Sequence, residues 1–210
     1  MENIIEALEW RYATKVFDKT RKLTDHQVND LKRVCQLSAS SFGLQPYKII
    51  VISNKELMEQ LKPASYGQAQ ITDASHLFLF CAMKNFDKKD VEKFVDLNVK
   101  VTGIDKAHLK NFHDMMDMKM ESMNMEENMM WATKQAYIAL GNLLTAAAVM
   151  EIDTCPIEGF IPEQYSEILK LDEMGLEPLV LTAVGYRDDS DKYQNIPKVR
   201  KNKADLFIDL

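Results

Sequence analysis

The segment 76–83, with the sequence HLFLFCAM, is a continuous apolar run of strand length. A strand with one face in water alternates apolar and polar residues, so an unbroken run predicts a strand that is covered on both faces. We therefore expect this segment at the centre of a sheet whose two faces are both packed.

Three other segments are strand candidates because they are short and rich in apolar and β-branched residues: 47–52, 152–157 and 179–186. The chain is therefore expected to contain about four strands. Its 210 residues favour one domain, 1–210, over two small ones.

Helices are predicted where apolar residues recur at helical spacing, and their starts are marked by capping signals. The predicted helices lie near the N-terminus, after capping boxes at 24–27 and 53–56, through most of 87–150, and after Pro162. Proline is tolerated in a first turn because its missing N–H has no helical partner there. The apolar stretch 136–150 is expected to be a buried helix.

Charge and composition exclude several classes of protein. The net charge of −6 gives no attraction to polyphosphate, so we expect no nucleic-acid partner. Three widely separated cysteines predict neither a disulfide framework nor a zinc knuckle, and the N-terminus lacks an export signal. The longest apolar stretch is shorter than the roughly 20 residues of a membrane span. We therefore expect a cytoplasmic protein without a membrane partner.

Common catalytic motifs are missing from the sequence. The seven glycines never take the spacing of a dinucleotide-binding or P-loop phosphate site, and neither G-x-S-x-G nor H-E-x-x-H occurs. His113 and Asp117 have the i, i+4 spacing of a metal pair, but on a charged helix this pattern is far more often a solvated face. We predict no metal site.

Two features stay open at this level. Positive charge gathers at Arg11 and Lys15 and again near 198–203, which by itself indicates plain surface. A phosphate gripped from both places would require the two ends of the chain to meet. Eight of the thirteen methionines lie within 115–130, where core packing is the more frequent explanation, an adaptable apolar binding surface the second, and a copper tract a remote third.

Six segments, taken together and in this order, resemble the FMN-dependent nitroreductase family. They are RYATK at 11–15, SASSFGLQP at 38–46, DASH at 73–76, ALGN at 139–142, PIEGF at 156–160 and PKVR at 197–200. The resemblance spans most of the chain. It implies an α+β sandwich with a mostly antiparallel central sheet flanked by helices, and an intertwined homodimer with one FMN in each of two clefts formed by both subunits.

The resemblance also implies an activity, namely NAD(P)H oxidation by ping-pong hydride transfer through the flavin to nitroaromatics, quinones or free flavins. No side-chain acid or base is then required, since the cofactor carries the chemistry and the protein supplies position and electrostatics. Other chemistries of the same fold, such as dehalogenation or flavin cleavage, and a non-catalytic FMN-binding or storage protein are the alternatives. The tail, about 188–210, is expected to pack on the dimer partner.

The family pattern assigns the cofactor site residue by residue. Arg11, Lys198 and Arg200 would hold the FMN phosphate, and Lys15 would reach the pyrimidine side of the flavin and tune its potential. Glu158 and Gly159 would lie beside flavin N5. The remaining members of the implied FMN site are Tyr12, Ala13, Thr14, Gly67 and Gln70 of the same subunit, and Ala39, Ser40, Ser41 and Gly43 of the partner.

The sequence departs from the family pattern at three places. Tyr12 and Ala13 stand where many relatives have histidine and serine, and Gly43 stands where others have asparagine. Gly67 replaces an asparagine, so that position can contribute only its backbone. Gln70 is then the expected side-chain contact to the pyrimidine.

Overall fold

The computed structural model of the protein describes residues 3–210. Within this range four strands form one sheet: β1 (Tyr47–Ile52), β2 (His76–Met83), β3 (Asp153–Ile157) and β4 (Leu176–Gly185). Their spatial order is β1-β2-β4-β3, and every neighbouring pair is antiparallel. Helices flank this sheet, which confirms the predicted α+β class. The last strand begins three residues before the predicted 179.

The same range contains nine α-helices, most of them where the apolar spacing predicts them. They are α1 (Ile4–Trp10), α2 (Asp25–Gln36), α3 (Lys55–Leu61), α4 (Gln70–Asp73), α5 (Lys88–Thr102), α6 (Lys110–Glu121), α7 (Met125–Val149), α8 (Pro162–Leu169) and α9 (Lys203–Leu206). Short 3-10 turns lie at Ser41–Gly43, Pro63–Ser65, Lys106–Leu109, Asp172–Met174 and Lys192–Asn195. None of the helices in 3–210 is long and apolar enough to cross a membrane.

Capping explains where two of these helices begin. The Thr24 side chain accepts a hydrogen bond from the Gln27 N–H, and the Gln27 side chain accepts one from the Thr24 N–H. This is the predicted capping box. The capping box predicted at 53–56 is wrong, because the N-cap of α3 is one residue later and forms no box. Asn54 caps α3 instead, because its side-chain oxygen lies 2.9 Å from the Leu57 N–H.

The central strand β2 divides its side chains between two cores. Leu77, Leu79 and Cys81 pack in a core with α3 and α8, while Phe78 and Phe80 pack on the other face with α2 and α7. The alternation of side chains along a strand places successive residues on opposite faces of the sheet. The prediction of a central strand buried on both faces is therefore confirmed.

The prediction that 136–150 is a buried helix is wrong in part. Ala136, Ala139 and Leu143 of α7 face the sheet, but Ile138 is 44% exposed and Val149 is 39% exposed. A helix that packs on a sheet from one side leaves its opposite face uncovered, whatever its composition. On α1, which packs against α7, the apolar residues Ile4, Ile5 and Leu8 are also exposed.

Candidate functional site

A buried carboxylate, Asp191, joins the first basic motif to the end of the chain. One of its oxygens, Oδ2, lies 2.7 Å from the Lys15 backbone N, 3.1 Å from the Val16 N and 2.9 Å from the Tyr12 hydroxyl. The other oxygen accepts from the Tyr193 N–H at 3.0 Å. Asp191 is only 1% exposed. It therefore fixes the backbone of the segment from which Arg11 and Lys15 project.

These contacts predict how stability depends on pH. Burial alone would raise the pKa of Asp191, but the hydrogen bonds it accepts outweigh burial and hold its pKa below the usual value. A carboxyl group with a lower pKa in the folded protein stabilises the fold above its unfolded pKa, about 4, and this contribution is lost as the pH falls through the folded pKa. In urea unfolding between pH 7 and 2.5, we expect Asp191→Asn to be less stable than the wild type at pH 7. The difference between the two should shrink below about pH 4, and a difference independent of pH would contradict the assignment.

A second buried carboxylate, Asp153, binds Arg187. The Arg187 Nε lies 2.7 Å and Nη2 2.6 Å from Oδ1 of Asp153, and the Arg187 backbone N lies 2.8 Å from Oδ2. The guanidinium also lies over the rings of Trp10, at 4.0 Å, and Tyr12, at 4.6 Å. Since Asp153 opens β3 and Arg187 follows β4, this ion pair holds the end of α1 against the sheet.

Cations from the two ends of the chain meet beside this pair. Lys198 donates to the Glu9 carbonyl at the end of α1. Burial is the main cause that lowers the pKa of Arg11 and of Lys198. Repulsion from Arg200 lowers the pKa of Arg11 further. Repulsion from Arg11 and Arg200 does the same for Lys198. Within 3–210, the buried Arg11 Nε has no hydrogen-bond partner. Positive charge from both ends of the chain is therefore concentrated at this place.

Two residues predicted for the flavin ring, Lys15 and Gln70, lie near Cys155 of β3. Burial raises the pKa of the Cys155 thiol, while the charges of Lys15 and Arg11 and a hydrogen bond with Gln70 act in the opposite direction. Gln70 is 8% exposed at the start of α4. The structure thus brings Arg11, Lys15 and Gln70 close to Cys155. Thr14 is buried beneath them, and Ala13 forms a bridge with Thr154.

The turn after β3 carries Glu158 and Gly159. The Tyr137 hydroxyl of α7 lies 2.6 Å from the Glu158 carboxylate, and the Gln68 side-chain N lies 2.7 Å from the Gly159 carbonyl oxygen. Gln68 is next to Gly67 in the chain, so the two segments predicted to face the flavin are held directly together.

The predicted serine loop, 39–43, is held by α7 and by hydrogen bonds within its own segment. The Ser41 N–H donates to Gln135 of α7 at 2.8 Å, and the Ser40 hydroxyl accepts from the Gln45 N–H at 3.0 Å. Gly43 has φ +78°, and a side-chain carbon there would approach the Phe94 ring at 3.2 Å, so both conformation and space favour glycine. Among the described residues, no hydrogen bond or ion pair joins this loop to Arg11, Lys15 or Gln70.

A cavity of about 520 Å³ lies beside the edge strand β1, and its lining includes none of Arg11, Lys198 and Arg200. Apolar side chains of β1 and α5, among them Ile49 and Phe94, line it together with Lys32, Lys48 and Lys93. Gly43 is its one lining residue from the predicted site.

Sequence reasoning missed several residues that organise this site: Gln68, Gln135, Tyr137, Asp153, Arg187 and Asp191. Their partners are remote in the chain, so no local spacing identifies them. A weak signal exists at Asp153, a carboxylate at the start of an apolar strand, where a buried charge requires a partner.

Comparisons with known proteins identify the family to which this chain belongs. The sequence model of the Nitroreductase family matches residues 8–186. A protein of Staphylococcus epidermidis with the name "Putative NAD(P)H nitroreductase" is 37% identical over 215 residues, covering 98% of this chain and 96% of the relative. A protein of the same name from Staphylococcus saprophyticus is 35% identical over 219 residues, covering 98% and 95%.

Among solved structures, a nitroreductase-type protein of Exiguobacterium sibiricum in complex with FMN superposes with a TM-score of 0.85 at 19% identity. The match covers 99% of this chain and 97% of that protein, and it shows the shared fold. The family match over most of the sequence and the two staphylococcal relatives go further than the fold. The chain belongs to the Nitroreductase family and is an oxidoreductase.

Proposed function

We propose that the protein is an FMN-dependent NAD(P)H oxidoreductase that reduces nitroaromatics, quinones or flavins by two-electron transfer. The observation that carries the proposal is the cluster of Arg11, Lys198 and Arg200, in which a buried guanidinium nitrogen lacks a partner. Three cations that repel one another are stabilised by a dianionic group such as a phosphate monoester. The structural neighbour in complex with FMN and the names of the relatives support the choice of FMN and NAD(P)H.

Other residues of the predicted site fit the ring of FMN. Lys15 and Gln70 offer a positive charge and an amide beside Cys155, which suits the pyrimidine side of the flavin. A fixed cation there stabilises the negative charge that a reduced flavin carries. When bound, FMN supplies the hydride chemistry, and the chain contributes binding, orientation and charge. Glu158 and Gly159 then contribute the geometry of their turn beside N5, with no proton transfer assigned to the carboxylate.

We further propose that the functional unit is a homodimer in which Ala39, Ser40, Ser41 and Gly43 reach the partner's FMN. The exposed apolar residues of α1 and α7 support this arrangement, because such a surface on a soluble protein marks an interaction site. Among the described residues, no hydrogen bond or ion pair joins the serine loop to Arg11, Lys15 or Gln70, which fits a loop that serves the partner's FMN.

The tail is proposed to pack on the partner as well. Asp191 and Lys198 hold its first part to their own subunit, but beyond them Phe207 is 62% exposed and Ile208 is 87% exposed. The partner offers a matching surface, since β1 is an edge strand with an apolar cavity beside it. An unpaired strand edge readily accepts another extended segment.

The methionine-rich segment is proposed as an adaptable wall for the electron acceptor. Met116 and Met120 are buried in the core between α5 and α6, whereas Met115, Met118 and Met125 are between 53% and 76% exposed. Part of the cluster therefore packs in the core, and the exposed part supports the proposal of an adaptable apolar surface for varied acceptors.

The first experiment is an absorbance spectrum of the purified protein, followed by anaerobic addition of NADH and then NADPH. We expect oxidised-flavin bands at about 370 and 450 nm that bleach on addition of the preferred donor. Bound FMN that neither donor reduces would favour a binding or storage protein. A colourless protein that also fails to take up FMN would overturn the proposal, and Tyr12, Ala13 and Gly67 would then be the first positions to restore.

A further inference from the structure

The turn that follows β3 is held from two sides by side chains outside the segments that carry the family resemblance. On one side, the Gln68 amide nitrogen lies 2.7 Å from the Gly159 oxygen and 3.0 Å from the Ser65 oxygen. Both hydrogens of this amide are therefore used, and they join the turn to the end of the 63–65 helical turn. Close by, the Ile161 N–H donates to the Ala64 carbonyl at 2.8 Å.

On the other side, Tyr137 of α7 donates its hydroxyl hydrogen to the Glu158 carboxylate at 2.6 Å. Burial raises the pKa of Tyr137 to about 12, and the hydrogen bond to Glu158 adds to this effect. The hydroxyl therefore remains a donor throughout the neutral range. Two residues earlier on the same helix, Gln135 holds the serine loop.

We propose that Gln68 and Tyr137 are positioning residues that fix the 158–159 turn against the 67–70 segment. This inference rests on the proposed flavin site, where 67–70 faces the pyrimidine side and 158–159 faces N5. The distance between these two segments decides how the ring sits between them. Gln68 spans that distance with one side chain. The hydrogen bond from Tyr137 holds the Glu158 side chain, and with it the turn, in place.

The first test uses the protein without added flavin, so it does not depend on the proposed function. The variant Gln68→Met keeps the length of the side chain and removes both donated hydrogens. We expect the backbone amides of Phe160 and Ile161 to exchange with deuterium about fivefold faster, the ratio that corresponds to one typical hydrogen bond. Gln60→Met, the same change at an exposed position of α3, should leave their exchange unchanged. Equal exchange in wild type and Gln68→Met would overturn the proposal.

The second test uses the FMN-loaded protein and separates positioning from stability. At saturating FMN, we expect Gln68→Met and Tyr137→Phe to lower the limiting rate of anaerobic bleaching by NAD(P)H about tenfold, because small displacements of reacting groups cost large factors in rate. The donor concentration at half-maximal rate should change less than twofold. Faster exchange with an unchanged limiting rate would overturn the positioning role and leave a structural contact. A wild-type protein that binds no FMN would refute the proposed function, and the exchange experiment alone would then decide whether Gln68 fixes the 158–159 turn.

Discussion

Asp153→Ala is expected to lower the free energy of unfolding by about 3–5 kcal/mol, the cost of removing one partner from a buried ion pair. Asp153 is 4% exposed, and its carboxylate accepts hydrogen bonds from the side chain and from the backbone N–H of Arg187. Its loss would leave the guanidinium between Trp10 and Tyr12 without a counter-charge. Urea unfolding at pH 7 measures the difference directly.

Two further variants make this result specific to the ion pair. Asp153→Asn keeps an oxygen for the Arg187 N–H and loses the charge, so its loss of stability should be smaller than that of Asp153→Ala. Asp189→Ala removes an exposed carboxylate nearby and should change stability by less than about 0.5 kcal/mol. A loss below about 1 kcal/mol for Asp153→Ala would show that Arg187 is held by its aromatic contacts alone.

The central strand illustrates what sequence can predict about this fold. The run 76–83 identifies a doubly covered strand because apolar residues on both faces of a strand have no stable alternative to burial. Helix α7 shows the opposite case. Its apolar second half predicts burial, but which face of a helix is covered depends on neighbours, and Ile138 remains exposed.

The candidate site divides in the same way. The short motifs around Arg11, Gly43 and Gly159 predict candidate residues, but they do not reveal what holds them. Asp191 contacts residues 175 to 179 positions away in the chain, and Gln68 reaches across 91 positions to Gly159. Such pairs depend on the tertiary fold, and a single sequence gives no pattern for them. The predicted contribution of the partner subunit is harder still to derive, because it depends on how two chains associate.

Arg11→Met is expected to weaken FMN binding and to stabilise the protein without flavin, two effects of opposite sign from one substitution. In the absence of an anion, Arg11 is destabilised by burial and by the charge of Arg200, as its lowered pKa indicates. A methionine of similar length avoids both costs, so the free energy of unfolding of the flavin-free protein should rise. With FMN present, the charged hydrogen bonds to the phosphate are lost, and these are worth about 1.5–3 kcal/mol, or about 10- to 150-fold in Kd.

Riboflavin provides the decisive comparison because it lacks the phosphate and keeps the ring. Quenching of flavin fluorescence should show that Arg11→Met raises the Kd for FMN and leaves the Kd for riboflavin within about twofold of the wild-type value. Arg33→Met, at an exposed arginine whose side chain contacts Gln36, should change neither. An equal loss of affinity for both flavins would show that Arg11 supports the ring site or the fold and does not bind the phosphate. A Kd for FMN that changes less than threefold would remove Arg11 from the phosphate site, and the cluster would then depend on Lys198 and Arg200.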